Sequence, residues 1–92
     1  MVKHIKKIFA NKQGVKILEK IMDKQNLLKE LGLQIKFERL KRSLTQEEMA
    51  ERIKISRNAI SLIENGKINP TFLVLYAISK EFGVDILKFI EK

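Results

Sequence analysis

The chain has 92 residues, enough for one domain with a modest core and too few for two ordinary domains. Its formal net charge of +8 favours polyanionic partners without identifying one. With no Cys and a single His, His4, disulfides, thiolate metal sites and the usual nucleophile–base pairs of catalysis have no basis, so no metal, cofactor or enzymatic activity is expected.

The N-terminal stretch MVKHIKKIFANKQG is basic but lacks a continuous apolar segment and a small-residue cleavage site. No run reaches membrane-spanning length, and a cytoplasmic location is expected. Charge is unevenly spread. Residues 1–32 carry eight Lys against Glu19, Asp23 and Glu30, a balance of +5, whereas residues 45–67 sum to zero. A nucleic-acid contact made by this second stretch must depend on placement rather than on bulk charge.

In chain order, Ile5, Ile8 and Phe9 give weak support to a helix over residues 3–10. Val15, Leu18, Ile21, Met22, Gln25 and Leu28 recur every three or four residues, which predicts an amphipathic helix over residues 15–28. A further helix over residues 31–42 has Leu31 and Ile35 on one face and Leu33, Phe37 and Leu40 on the other. Such a helix needs cover on both sides, so the preceding helix or a second subunit is expected over Phe37. Thr45 and Glu48 form a capping-box pattern that starts a helix with Met49, Ala50 and Ile53, ending near Lys54. Ser56 can cap the next helix, whose Ala59, Ile60 and Ile63 face inward and whose stop is Gly66. Pro70 and Thr71 open another, with Phe72, Leu75, Ile78 and Phe82 as the inner stripe. Asp85 then caps a short last helix holding Leu87, Phe89 and Ile90. No strand-like alternation is sustained, so the expected fold is all-α, with residues 1–30 as a basic amphipathic helical arm and residues 31–92 as the domain.

Two short helices around a tight turn make a helix-turn-helix, an arrangement that can present its second helix to a DNA major groove. Ala50 sits where the two axes approach, Ile55 can plug the turn, and Ile60 and Ile63 anchor the second helix. That leaves Arg57, Asn58, Ser61 and Leu62 on its outer, N-terminal half. The segments LTQEEMAERI, ISRNAISLIENGKINPT and ISKEFGV resemble the helix-turn-helix domain of XRE/Cro-type transcriptional regulators and phage repressors, over roughly residues 31–90. The resemblance implies a five-helix, lambda-repressor-like domain, here with an added N-terminal amphipathic helix. It also implies binding to double-stranded DNA as a homodimer on a palindromic operator, read here as the action of a repressor.

By the same resemblance Arg57 and Asn58 occupy base-reading positions. Arg can bond guanine O6 and N7 together, Asn can do the same at adenine N6 and N7, and either pairing discriminates by ~1–3 kcal/mol. Ser61 can reach a base or a phosphate, and Leu62, where relatives often have a polar or basic residue, can only touch a thymine methyl or be passive. Gln46 matches a phosphate contact that also braces the recognition helix, Ser56 is a cap and candidate phosphate contact, and Asn65, Lys67 and Asn69 match a phosphate-binding loop. Arg39 and Glu64 match a pair that bridges helices.

Three features depart from the family pattern. Lys54 replaces the usual turn Gly, Glu38 stands where relatives often have Leu, and Leu73, Val74 and Tyr76 add apolar surface beside the inner stripe. Simpler readings stand beside the functional ones: polar residues at a helix start are ordinarily just solvated, as are lysines along a helix such as those of residues 3–29. The rival function is an antitoxin-type protein-interaction module in which residues 1–32 bind a partner protein.

Overall fold

The computed structural model describes residues 12–90, with side chains from residue 23 to residue 89. The helix expected over residues 3–10 and the side chains of Val15, Leu18, Ile21, Met22 and Ile90 lie outside the described residues. Among those described there are helices and no strands: α1 (Lys12–Lys41), α2 (Gln46–Ile53), α3 (Arg57–Glu64), α4 (Phe72–Phe82) and α5 (Leu87–Ile90).

The two helices expected over residues 15–28 and 31–42 are one unbroken helix of 30 residues. Lys29 and Glu30, at the junction, are good helix formers, and no Pro interrupts the ladder. Gly32 is retained within it for a packing reason. A Cβ there would overlap the backbone carbonyls of Ile63 and Glu64, so α1 crosses the end of α3 at a distance only glycine permits. Continuity has a second consequence. A straight helix cannot fold its own N-terminal half over its C-terminal half, so Leu33, Phe37 and Leu40 remain exposed.

Caps end the other helices as their sequences require. Thr45 Oγ1 accepts from the Glu48 N–H at 3.0 Å while Glu48 Oε1 accepts from the Thr45 N–H at 2.9 Å. The Thr45 N–H first, and then the nearby Thr45 hydroxyl, hold the Glu48 carboxyl below its usual range. Ser56 and Thr71 accept from Ala59 and Val74 N–H groups at 3.0 and 3.2 Å, and Asp85 Oδ1 accepts from the Leu87 N–H at 2.9 Å.

The core gathers Ile35 of α1, Met49 and Ala50 of α2, Ile60 and Ile63 of α3, Leu75, Ile78 and Phe82 of α4, and Phe89 of α5. Each large aliphatic buried there is worth ~1.5–3 kcal/mol. Phe72 departs from the expected stripe. It is exposed at the first position of α4 and stacks on Tyr76 with ring centroids 6.5 Å apart, while neighbouring Pro70 is buried.

Glu38, which stands where relatives often have Leu, ties three helices together. It is 1% exposed, and its carboxylate accepts from Arg42 Nη1 at 2.9 Å and pairs with Lys88 Nζ at 2.9 Å. The Arg42 hydrogen bond, then that of Lys88, holds its carboxyl down at about 2. Arg42 also donates to the Phe82 carbonyl at 2.6 Å and lies over the Phe82 ring. A charged latch thus does by hydrogen bonding what leucine would do by packing.

Candidate nucleic-acid interface

The site begins at the turn. Helix α2 ends on Lys54, whose φ of 61° and ψ of 45° are left-handed, and the Ile55 N–H then donates to the Ala50 carbonyl at 3.1 Å. A lysine in this conformation costs ~1–2 kcal/mol, so the departure from Gly is tolerated at a price in stability rather than in shape. Ala50 is 5% exposed, small enough for α3 to cross close to α2.

Helix α3 has eight residues and two contrasting ends. Ile60 and Ile63, 1% and 3% exposed, fix its inner side to the core. On its outer side Arg57 and Asn58 are exposed, and neither makes a hydrogen bond or ion pair among the described residues. A cation in the first turn opposes the helix macrodipole, so helix stability does not account for Arg57. Gln46 at the start of α2 joins Arg57, Asn58 and Ser61 around one shallow concavity of about 260 Å³. A guanidinium, two amides and a hydroxyl on one surface supply the donors and acceptors that base edges in a groove can meet.

At the other end every polar group is committed. Glu64 is 4% exposed and takes a two-pronged bond from Arg39, with Nε to Oε2 at 2.7 Å and Nη2 to Oε1 at 3.0 Å. Arg39 Nη1 donates to the Leu44 carbonyl at 2.7 Å, and Gln46 Nε2 donates to Glu64 Oε1 at 3.1 Å. Bidentate geometry and a satisfied third donor are what a buried ion pair needs to offset its desolvation. Two glycines complete the clamp. Gly32 lets α1 lie against the last carbonyls of α3, and Gly66, at φ 68°, has no room for a side chain because a Cβ would stand 2.8 Å from the Lys29 Cα.

The sequence profile of the helix-turn-helix family matches residues 35–89. The chain belongs to the helix-turn-helix family. Over 52 residues it is 40% identical to an uncharacterised helix-turn-helix-type transcriptional regulator of Methanocaldococcus jannaschii, an overlap of 56% of this chain and 79% of the relative. PlcR of Bacillus thuringiensis, solved in complex with the peptide PapR7 and DNA, is similar at 33% identity and a TM-score of 0.64, over 68% of this chain but only 22% of PlcR. The clp gene regulator ClgR of Corynebacterium glutamicum shares the fold, with a TM-score of 0.66 at 22% identity over 70% of this chain and 68% of ClgR. The XRE/Cro-type resemblance and the all-α fold are therefore borne out, and the chain is a non-enzymatic, DNA-binding transcriptional regulator.

Within this helix-turn-helix the remaining candidates separate into groups. The Ser56 hydroxyl is occupied by the Ala59 N–H, and Leu62 is half-buried. Asn65 turns its amide back on α3, donating to the Ser61 carbonyl at 2.8 Å, which closes the helix. Lys67 and Asn69 are exposed on the loop after Gly66 and do not line the concavity. Arg39 and Glu64 bridge α1 and α3 as the resemblance implied. The contact of Gly32 and Gly66 with α3 and Lys29 was not read from spacing. Its signal was a glycine in the middle of a helical pattern, where it costs ~1 kcal/mol against Ala and asks for a reason. Among the described residues no His, Cys, Asp or Glu cluster could hold a metal, and no helix is long and apolar enough to cross a membrane.

Proposed function

We infer that the chain is a sequence-specific repressor that binds a palindromic operator as a homodimer, each copy setting α3 in the major groove. Arg57 and Asn58 read bases, Ser61 and Leu62 contact the groove beside them, and Gln46, Lys67 and Asn69 hold phosphates, joined by the groups that capping leaves over, the O–H of Ser56 and the second amide N–H of Asn65. One observation carries this reading: a guanidinium and an amide stand exposed and unpaired on a helix whose opposite side is locked by buried isoleucines. Rigid backing matters because a base-edge bond needs its donor held within a few tenths of an ångström of its acceptor.

The exposed apolar residues Leu33, Phe37 and Leu40 on α1, with Phe72, Leu73 and Tyr76 on α4, support a second copy as the missing cover. In a two-fold dimer the recognition helices meet half-sites ~34 Å apart. Binding across a promoter would then repress by occluding it. The test is selection from random duplex DNA followed by titration of the selected site at several salt concentrations. The expected result is a two-fold symmetric consensus with salt-sensitive binding at two copies per site; an asymmetric consensus bound by one copy would remove the dimer, and no enrichment would remove sequence-specific readout.

A further inference from the structure

We propose that the groove between the last turn of α2 and α4 docks an acidic segment of another protein, whose carboxylates meet Lys54 and Lys80 while an apolar side chain rests on Ile53 and Ala77. The proposal goes beyond the DNA-binding reading and does not depend on it. The groove is an open concavity of about 380 Å³, walled by Arg52, Ile53 and Lys54 on one side and by Tyr76, Ala77, Lys80 and Glu81 on the other. None of these residues lines the concavity of Gln46, Arg57, Asn58 and Ser61. Helix α2 joins the two places. It opens with Gln46 at one and closes with Ile53 at the other, ~10 Å away along its axis.

The hollow follows from the turn. At Lys54 the left-handed step carries the chain away toward α3, and Ile53, the last residue of α2, stays half-buried. Across the groove Ala77 contributes only a methyl, where a longer side chain would fill the space. Lys54 is the part that the fold does not explain. Glycine makes the same turn without the ~1–2 kcal/mol cost of a left-handed side chain, so what lysine adds is an ammonium at the edge of the groove. Strained backbone of this kind gathers at ligand sites.

The charges around the groove divide into committed and free. Arg52 Nη1 pairs with Glu81 Oε2 at 3.2 Å, which satisfies the one carboxylate on the lining. Lys54 and Lys80 are exposed and take part in no ion pair among the described residues, and the Lys80 ammonium stands 5.7 Å from the centre of the Tyr76 ring. Two free ammonium groups beside an apolar floor match a ligand that carries carboxylates and a hydrophobic side chain together. A duplex phosphate backbone has the charge but nothing for Ile53 and Ala77 to hold, and a base stacking on Tyr76 competes with both Lys80 and Phe72 for the ring. Nor does the chain itself supply such a ligand. Residues 1–11 carry Lys3, Lys6 and Lys7 and no carboxylate side chain, and a second copy related by a two-fold axis through the groove sets Lys54 and Lys80 against their own counterparts.

The probe is a short synthetic peptide of Asp, Glu, Leu and Phe, with two controls: the same peptide with Asn and Gln in place of Asp and Glu, and duplex DNA of random sequence. Each is titrated into the nitrogen-15-labelled full chain while backbone amide shifts are followed by NMR. The acidic peptide is expected to shift the amides of Ile53, Lys54, Ala77 and Lys80 saturably, with affinity falling as salt rises, and the neutral peptide to leave them in place. A Lys54→Gly, Lys80→Gln double variant keeps the turn, since glycine favours it, and thermal stability no lower than that of the wild type is its folding control. It should bind the acidic peptide ~10-fold more weakly and random DNA as before. No saturable shift at these four amides, equal shifts with the neutral peptide, or a variant that binds the acidic peptide as tightly as the wild type overturns the proposal. Random DNA that loses affinity for the variant as the peptide does assigns the groove to phosphate and overturns it as well.

Discussion

The two ends of α3 use the same chemistry for opposite purposes. At its C-terminal end a charged Glu64 is buried, bonded to Arg39 and Gln46 and pressed by Gly32; at its N-terminal end a charged Arg57 and a polar Asn58 stand in solvent with nothing attached. A buried, satisfied ion pair adds little net stability over an apolar pair but enforces one geometry, because every alternative strands a charge. Exposed, unpaired donors add no stability at all and are free for a ligand. Orientation is therefore built at one end and recognition is left open at the other.

Changes at the fixed end are expected to have the largest effects. Glu64→Ala leaves a buried guanidinium with only the Leu44 carbonyl as partner and should cost ~3–5 kcal/mol of stability in chemical denaturation. If it costs under 1 kcal/mol, the pair is not the anchor described here. Gly32→Val forces a side chain into the α3 carbonyls and should cost ~1–3 kcal/mol by the same measurement, with weaker operator binding because α3 must shift.

The Glu38 latch sharpens the comparison, since it is a buried charge network remote from the open end. Its carboxyl is held at about 2, below the ordinary 4.5, chiefly by Arg42 and Lys88. A depressed carboxyl stabilises the fold fully above the ordinary value and loses that contribution as pH falls from about 4.5 toward about 2. Wild-type thermal stability should fall across this window, and Glu38→Gln, less stable by ~2 kcal/mol at neutral pH, should fall less steeply. The same slope in both proteins would remove the latch from the account. Lys54→Gly relieves the left-handed lysine at the turn and is the smallest change, a gain of up to ~1 kcal/mol or roughly 4 °C in Tm, with the operator consensus unaltered.

Much of this contrast was legible in the sequence because it follows from local rules. The Thr45–Glu48 box, the Ser56 and Thr71 caps, and the inward Ile60 and Ile63 each depend on residues within one turn of each other, and each stands as the spacing predicts. What was missed depends on residues far apart in the chain. Gly32 is retained inside α1 because it meets Ile63 and Glu64, and Glu38, held first by Arg42 one turn on, is also paired with Lys88, fifty residues away, which no local pattern registers. Ser43, at φ 55°, is a second left-handed residue without a glycine to announce it. For the site, exposure of Arg57 and Asn58 was readable as the complement of the isoleucine face. The inward turn of the Asn65 amide was not, since an asparagine at a helix end can cap the helix or reach outward with equal ease.

The central claim, that the open end of α3 reads bases, is tested most directly by repeating the selection from random duplexes with Arg57→Ala. The account expects the wild-type consensus to lose its preference for guanine at one position per half-site while the remaining positions, and affinity for random DNA, stay as they were. A consensus that keeps that guanine, or a variant that loses selected and random DNA alike, would contradict it.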